Sequence, residues 1–177
     1  MGTEIERKFL IHVANFTALE VFPRGLANIH QTQITQGYLS RKPAVRVRHS
    51  STGPNHAQGF VTIKGSGNIT RGEWEYPIPE LDALEMMALC PSVLRKIRYV
   101  IPVTEPGSTH LKWEVDQFLT EGLSGLWVAE IELSHPDENF PRPAWLGREV
   151  SEDSRYSNAS LAQTHTIPSN EPQDPRG

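Results

Sequence analysis

Along most of this chain apolar and polar residues alternate with a period of two, and the polar member is very often charged. In the opening stretch Thr3-Glu4-Ile5-Glu6-Arg7-Lys8-Phe9-Leu10, an extended backbone puts Glu4, Glu6 and Lys8 on one face and Ile5 and Phe9 on the other. The same period predicts strands over residues 3–10, 31–40, 44–49, 59–64, 71–78, 93–103, 109–119 and 126–134. Turn chemistry separates them at Arg41-Lys42-Pro43, Gly53-Pro54-Asn55 and Gly65-Ser66-Gly67-Asn68. Residues 12–20 instead carry Val13, Phe16 and Leu19 at helical spacing and stop at Pro23-Arg24-Gly25. Residues 79–90 carry a predicted buried stripe of Leu81, Leu84, Met87 and Ala88, stopped by Pro91. A proline-rich crossover, Phe140-Pro141-Arg142-Pro143, leads to a terminal helix expected at 158–163. Eight strands with short turns predict a mainly β (α+β) domain over residues 1–166, an antiparallel sheet closed or nearly closed on itself. Residues 167–177 hold almost nothing apolar, and disorder is expected there.

The charged faces change this picture. The acids Glu4, Glu6, Glu73, Glu75, Glu114, Asp116, Glu130 and Glu132, and the bases Lys8, Arg46, Arg48, Lys64, Arg71, Lys96, Arg98 and Lys112, include same-sign pairs at i, i+2. Two such carboxylates about 6.8 Å apart repel by about 2 kcal/mol at an effective dielectric near 20. For the first strand alone, a cation site and a half-solvated edge strand are both open readings. Across the whole chain, a solvated face would mix signs and use Ser, Thr and Gln, because neighbouring like charges destabilise strands. Six like-charged pairs favour the opposite arrangement, with the charges inside and the apolar residues outside. Acidic pairs would then take divalent cations through oxygen, and basic pairs an oxygen-rich anion. Three helices, and room for a second subunit in a homodimer, would cover the apolar outer face.

A formal charge of −4 argues against general affinity for nucleic acid or anionic membrane, though not against a basic cavity. No apolar run reaches the length of a membrane span, and no signal peptide is expected because charges begin at Glu4. The single cysteine, Cys90, excludes an intramolecular disulfide and fits a reducing, cytoplasmic setting. Asn68-Ile69-Thr70 and Asn158-Ala159-Ser160 match a glycosylation triplet, read here as chance. Lys64-Gly65-Ser66-Gly67 lacks the order of a nucleotide P-loop. The seven histidines show no zinc spacing, and neither Ser66 nor Ser124 sits in a nucleophile elbow. Cys90, Trp74 and Trp113 read as packing residues.

Taken in order, Glu4-x-Glu6-x-Lys8, Arg46-Val47-Arg48, Thr62-Ile63-Lys64, Arg71-Gly72-Glu73-Trp74-Glu75, Lys96-Ile97-Arg98-Tyr99, Trp113-Glu114-Val115-Asp116 and Ala129-Glu130-Ile131-Glu132 resemble the CYTH superfamily, the triphosphate tunnel metalloenzymes. The terminal Glu152-Asp153-Ser154-Arg155-Tyr156-Ser157-Asn158 is similar to its short bacterial members. This resemblance implies an eight-stranded antiparallel closed β-barrel tunnel with a charged interior. It implies hydrolysis of inorganic tripolyphosphate to pyrophosphate and phosphate with Mg²⁺ or Mn²⁺, two ions per site. Adenylate cyclisation, hydrolysis of thiamine or nucleoside triphosphates, and a non-catalytic polyphosphate-binding module are the alternatives. Lys8, Arg46, Arg48, Lys64, Arg71, Lys96 and Arg98 would bind the triphosphate. Glu4, Glu6, Glu114, Asp116, Glu130 and Glu132 would hold metal, with Lys96, Glu130 and Glu132 closest to the chemistry. Glu73, Glu75 and Lys112 would support the tunnel. Glu73 and Glu75 each have two readings, a metal or water contact or a counter-charge that orients the tunnel arginines, and for Glu75 the counter-charge is favoured. Asp153 and Tyr156 would close one mouth, Asp153 alternatively being a plain helix cap.

Overall fold

The computed structural model describes residues 2–17, 26, 29–67 and 69–169. The strands are β1 (Gly2–Ile11), β2 (His30–Arg41), β3 (Ala44–Ser51), β4 (Ala57–Lys64), β5 (Thr70–Ile78), β6 (Val93–Pro102), β7 (Lys112–Phe118), β8 (Trp127–Glu132) and β9 (Leu146–Glu149). The helices are α1 (Val13–Phe16), α2 (Glu80–Ala88) and α3 (Asn158–Thr164), with a 3-10 turn at Ser154–Tyr156. All pairings are antiparallel, in the order β5-β4-β3-β2-β6-β7-β8-β1, and β1 returns to β5 to close an eight-stranded barrel. β1 pairs with β5 only through Gly2–Ile5; further along, the short β9 takes the same edge at Phe9 and Ile11.

Each predicted strand is present within a few residues of its expected limits. β9 was not predicted, because four residues that include Gly147 show no alternation to read. Of the helix expected at 12–20, α1 covers the first part; Leu19, Glu20 and Pro23-Arg24-Gly25 lie outside the described residues. The expected tail divides similarly: 167–169 are described, and Pro168 accepts a hydrogen bond from the Tyr156 hydroxyl, whereas 170–177 are outside them.

The main apolar core lies outside the barrel wall. Ile5, Phe9, Tyr99, Trp113, Val115, Trp127, Ala129 and Ile131 turn outward from β1 and β6–β8. Phe16 of α1 packs on Tyr99, Trp127 and Trp145, while Phe140 packs edge-on against Phe9 and Trp113. Buried aromatic side chains of this kind stabilise by about 1.5–3 kcal/mol each, plus roughly 0.5–1.5 for edge-to-face pairs. The cover here is thus α1 and an irregular aromatic segment, rather than helices alone.

The two other helices depart from expectation. α2 buries Ala83, with Met86 and Met87 partly covered, and leaves the predicted stripe residues Leu81 and Leu84 at 72% and 47% exposure. The physical reason is two glycines that admit the helix side directly onto the sheet. A β-carbon on Gly59 would lie 2.7 Å from that of Ala83, and one on Gly37 would lie 2.6 Å from Cys90 Sγ. α3 covers no outer face. Leu161 and Ala162 join Leu94, Phe118, Leu123, Val128 and Tyr156 in an apolar plug at one end of the barrel interior, with Leu10 packed against it.

Candidate active site

Above that plug the barrel interior is charged, and the pairing register decides which charges meet. Glu4 stands opposite Arg71, Lys64 opposite Glu73, Arg98 opposite Asp116 and Lys8 opposite Glu130. Like-signed neighbours on one strand therefore find opposite charge on the next. The compensation is uneven, however. Glu6 faces Glu132 and Glu114 faces Glu130, so β1, β7 and β8 form an acidic wall. Arg46, Arg48, Lys64, Lys96 and Arg98 make β3, β4 and β6 a basic one. Acids placed directly opposite one another destabilise a sheet, so the acidic wall calls for positive charge.

The walls enclose a cavity of about 310 Å³. It is lined by every expected site residue except Lys8, Lys96, Asp116, Asp153 and Tyr156, and additionally by Asn158. The basic side chains are balanced by carboxylates. Glu4 accepts from Lys64 at 3.0 Å and from Arg71 at 2.8 Å. Glu75 accepts from Arg48 at 2.8 Å, Arg46 at 3.2 Å and Thr62 at 2.8 Å, which makes it a counter-charge that orients the arginines. Glu73 pairs with Lys64 at 2.8 Å, and Lys112 with Glu114 at 2.6 Å. Arg98 bridges both walls, donating to Asp116 and to Glu130 at 2.7 Å and also to Glu114.

Beneath the lining, Lys8 is 2.7 Å from Glu130 and 3.1 Å from Glu6. Burial works against its charge, yet those two acids hold its pKa above the ordinary lysine value. Burial likewise opposes charge on Glu130, but Lys8 and Arg98 keep its pKa well below the usual carboxylate range. Lys96 is 2.5 Å from Asp116, with both side chains about 1% exposed, and lies over the Phe118 ring. Burial and the nearby Arg98 bring its pKa down to about 8 despite Asp116. Burying so many charges costs several kcal/mol per ion before pairing offsets it, which makes the lattice a poor device for stability and a good one for binding.

Asp153 and Tyr156 separate. Asp153 caps the 3-10 turn by accepting from the Arg155 backbone, and lines a small recess beside Glu6, Lys8 and Arg71. Tyr156 belongs to the apolar plug. Sequence reasoning missed Tyr38 and Thr62. Tyr38 lies on β2, which carries no charged pair, and Thr62 lies on β4 two residues before Lys64; neutral residues leave no trace in a search for charges. Tyr38 accepts a hydrogen bond from Gln36 at 2.8 Å, and burial raises its pKa to about 12 although Arg46 and Lys8 lie close by. Thr62 is fully buried and accepts from Arg46 at 3.0 Å. His49, His110 and His165 bond to Glu80, Glu138 and the Val93 carbonyl, away from the cavity.

The CYTH domain model matches residues 2–165. The chain belongs to the CYTH family. It is 40% identical over 170 residues to an inorganic triphosphatase of Acetivibrio thermocellus, covering 92% of this chain and 95% of that protein. A second inorganic triphosphatase, from Nitrosomonas europaea, is 32% identical over 167 residues, covering 90% and 97%. The solved structure of the inorganic triphosphatase NE1496 superposes with a TM-score of 0.59 at 31% identity, covering 96% of this chain and 99% of that one.

A CYTH barrel implies a divalent metal, and the donor set here fits one. The acidic wall offers only carboxylate oxygens, the ligands of hard cations. Glu132 makes no ion pair among the described residues, and burial together with Glu4 and Glu114 raises its pKa. Such crowded, under-compensated acid is what an incoming cation relieves. Among the described residues no three acids converge on one point as the side chains stand; most are turned toward a lysine or arginine instead.

Proposed function

We propose that this CYTH protein is a divalent-metal-dependent inorganic triphosphatase, cleaving tripolyphosphate to pyrophosphate and orthophosphate within the charged cavity. The observation that carries this reading is the division of one enclosed cavity into an acidic and a basic wall. A triphosphate brings four to five negative charges and needs several fixed cations, while a pure anion site gains nothing from a wall of carboxylates.

In this reading Arg46, Arg48, Lys64, Arg71 and Arg98 bind the phosphate oxygens, the arginines through forked hydrogen bonds. Lys8 and Lys96 supply positive charge to the inner end of the chain from directly beneath the lining. Glu4, Glu6, Glu130 and Glu132, with Glu114 toward a second site, would hold two ions such as Mg²⁺ or Mn²⁺, which would supply charge neutralisation and a bound water of lowered pKa. Asp116, expected among the metal ligands, instead has both oxygens engaged by Lys96 and Arg98 below the cavity lining. Glu73, Glu75 and Thr62 keep the basic side chains aimed inward when the substrate leaves. Phosphoryl transfer depends mostly on positioning and charge neutralisation, and both are provided by side chains fixed on strands. The lone Cys90 suits a reducing compartment, and we place the protein in the cytoplasm.

The test is to incubate the protein with tripolyphosphate, ATP or thiamine triphosphate plus Mg²⁺ or Mn²⁺ and to quantify orthophosphate, pyrophosphate and cyclic AMP. Pyrophosphate and orthophosphate from tripolyphosphate are expected as the dominant products. Cyclic AMP as the main product would move the assignment to adenylate cyclisation, and binding without turnover would leave a polyphosphate-binding module.

A further inference from the structure

The charged cavity ends at the apolar plug on one side, and on the other it continues into a wider chamber with which it shares Arg48, Arg98 and Glu114. A linear polyanion threaded from that chamber closes the way in behind itself. The barrel wall, however, has a seam. On one edge β1 pairs with β5 through Gly2–Ile5 and with β9 at Phe9 and Ile11, so Glu6, Arg7 and Lys8 have no strand partner there among the described residues. Single bonds hold the seam instead. The Glu6 amide donates to the Ile69 carbonyl at 2.9 Å, the Val150 amide to the Lys8 carbonyl at 2.8 Å, and the Lys8 amide to Ser151 Oγ at 2.9 Å.

A hollow lies on each side of this seam. The outer one, of about 490 Å³, is bordered by Arg7, Ile69 and Glu152. The inner recess holds about 30 Å³; it shares Val150, Ser151 and Asp153 with the outer hollow, and Glu6 and Arg71 with the charged cavity. Three spaces are thus joined in series through common walls, and the narrowest decides what can pass. Its volume is about that of a single water, which needs two to four polar partners, and the hydroxyls of Ser151, Ser154 and Ser157 are at hand. The charges around it are Glu6 and Asp153 against Lys8 and Arg71, two of each sign. A phosphate or a hydrated cation therefore meets no net attraction there, and either would have to shed its water to fit, at a cost of several kcal/mol. Size and charge both select water.

We propose that the seam is a side passage that brings water to the inner end of the tunnel while the substrate blocks the mouth. The proposal rests on the triphosphatase reading of the charged cavity. Each turnover consumes one water. Its oxygen bonds to the terminal phosphorus, the bond from that phosphorus to its bridging oxygen breaks, and the electron pair stays on pyrophosphate. The proton given up by the water passes to solvent. Lys8, which borders the recess, is 2.7 Å from Glu130 and 3.1 Å from Glu6, so water entering there arrives beside the acidic wall and the inner end of the phosphate chain. Ser151 forms the neck. It borders both hollows, and its hydroxyl donates to Glu149 at 2.7 Å, which Arg7 holds from the outside.

The test fills the neck without removing a charge. Ser151→Leu and Ser154→Leu put a branched side chain into the recess, whereas Ser151→Ala and Ser154→Ala remove the same hydroxyls and leave the space. With tripolyphosphate and Mg²⁺, kcat per folded molecule is expected to fall about five-fold or more in the leucine variants, with KM within about two-fold of the wild type. In the alanine variants kcat should stay within about two-fold. Equal losses in leucine and alanine variants would overturn the passage, because they would make the hydroxyls and not the space responsible. An unchanged kcat in the leucine variants would overturn it as well. A second arm needs no turnover: wild-type crystals grown with tripolyphosphate and a chelator should show an ordered water bonded to Ser151 or Ser154, displaced in Ser151→Leu. A dry recess in the wild type would refute the passage whatever the kinetics show. Absence of tripolyphosphate turnover in the wild type would refute the triphosphatase reading instead, with the crystals still deciding whether water occupies the seam.

Discussion

The two walls of the cavity face each other yet obey different rules. On the basic wall each cation has a partner fixed by register or reach: Lys64 has Glu4 and Glu73, and Arg46 and Arg48 share Glu75. On the acidic wall Glu6 opposes Glu132 and Glu114 opposes Glu130, and Glu132 makes no ion pair among the described residues. The basic wall is thus organised in advance by its own counter-ions, whereas on the acidic wall Glu6, Glu114 and Glu130 have basic partners and Glu132 alone has no ion pair among the described residues. That asymmetry suits a site for a metal–polyphosphate complex: preset anion binding on one side and, at Glu132, an unpaired and crowded carboxylate on the other.

Removing the bridge between the walls should have the largest effect. Arg98→Ala leaves Asp116, Glu114 and Glu130 short of a cation, and breaking a buried pair in this way costs about 3–5 kcal/mol. Thermal melting should show that loss together with near-complete loss of triphosphatase activity; a variant as stable as the wild type would contradict the bridging role. On the acidic wall alone, Glu132→Gln should lower turnover on the order of 100-fold. Because the wild-type carboxylate is crowded by Glu4 and Glu114, the same variant should melt no lower than the wild type. A clear drop in melting temperature would mean that Glu132 is a structural partner after all.

The plug offers a control that leaves both walls intact. Leu161→Ala should destabilise by about 2–5 kcal/mol, with turnover per folded molecule within about two-fold of wild type. A collapse of turnover in the folded fraction would tie α3 to the chemistry. The smallest effect concerns Lys96. Burial and Arg98 lower its pKa from the ordinary 10.5 to about 8, so between those values the unfolded chain holds a proton that the folded chain lacks. This group's contribution to stability is therefore least favourable below about pH 8 and improves as pH rises toward about 10.5. Urea unfolding of wild type and Lys96→Met should show the wild type gaining on the variant across that window; a constant difference would rule the titration out.

Much of this arrangement was legible in the residues because charges on alternating strands announce both the face and its sign. Glu4-x-Glu6-x-Lys8 and Arg46-x-Arg48 could be assigned to one interior without knowing which strands touch. What could not be read was the register, which alone puts Glu132 against Glu6 and makes one wall acidic. Tyr38 and Thr62 escaped because neutral inward residues look like any half-buried strand position. The α2 stripe failed for a steric reason: Gly37 and Gly59 let Ala83 and Cys90 approach the sheet, leaving Leu81 and Leu84 outside. β9 escaped because a four-residue strand beside prolines carries too little period to detect.

The most direct measurement is a phosphorus NMR time course of tripolyphosphate with the wild-type protein and Mg²⁺, run with and without a chelator. Equal growth of pyrophosphate and orthophosphate signals, stopped by the chelator, is the predicted result. Tripolyphosphate that persists unchanged, or cleavage that continues at the same rate in excess chelator, would contradict the assignment of the acidic wall to metal and the basic wall to phosphate.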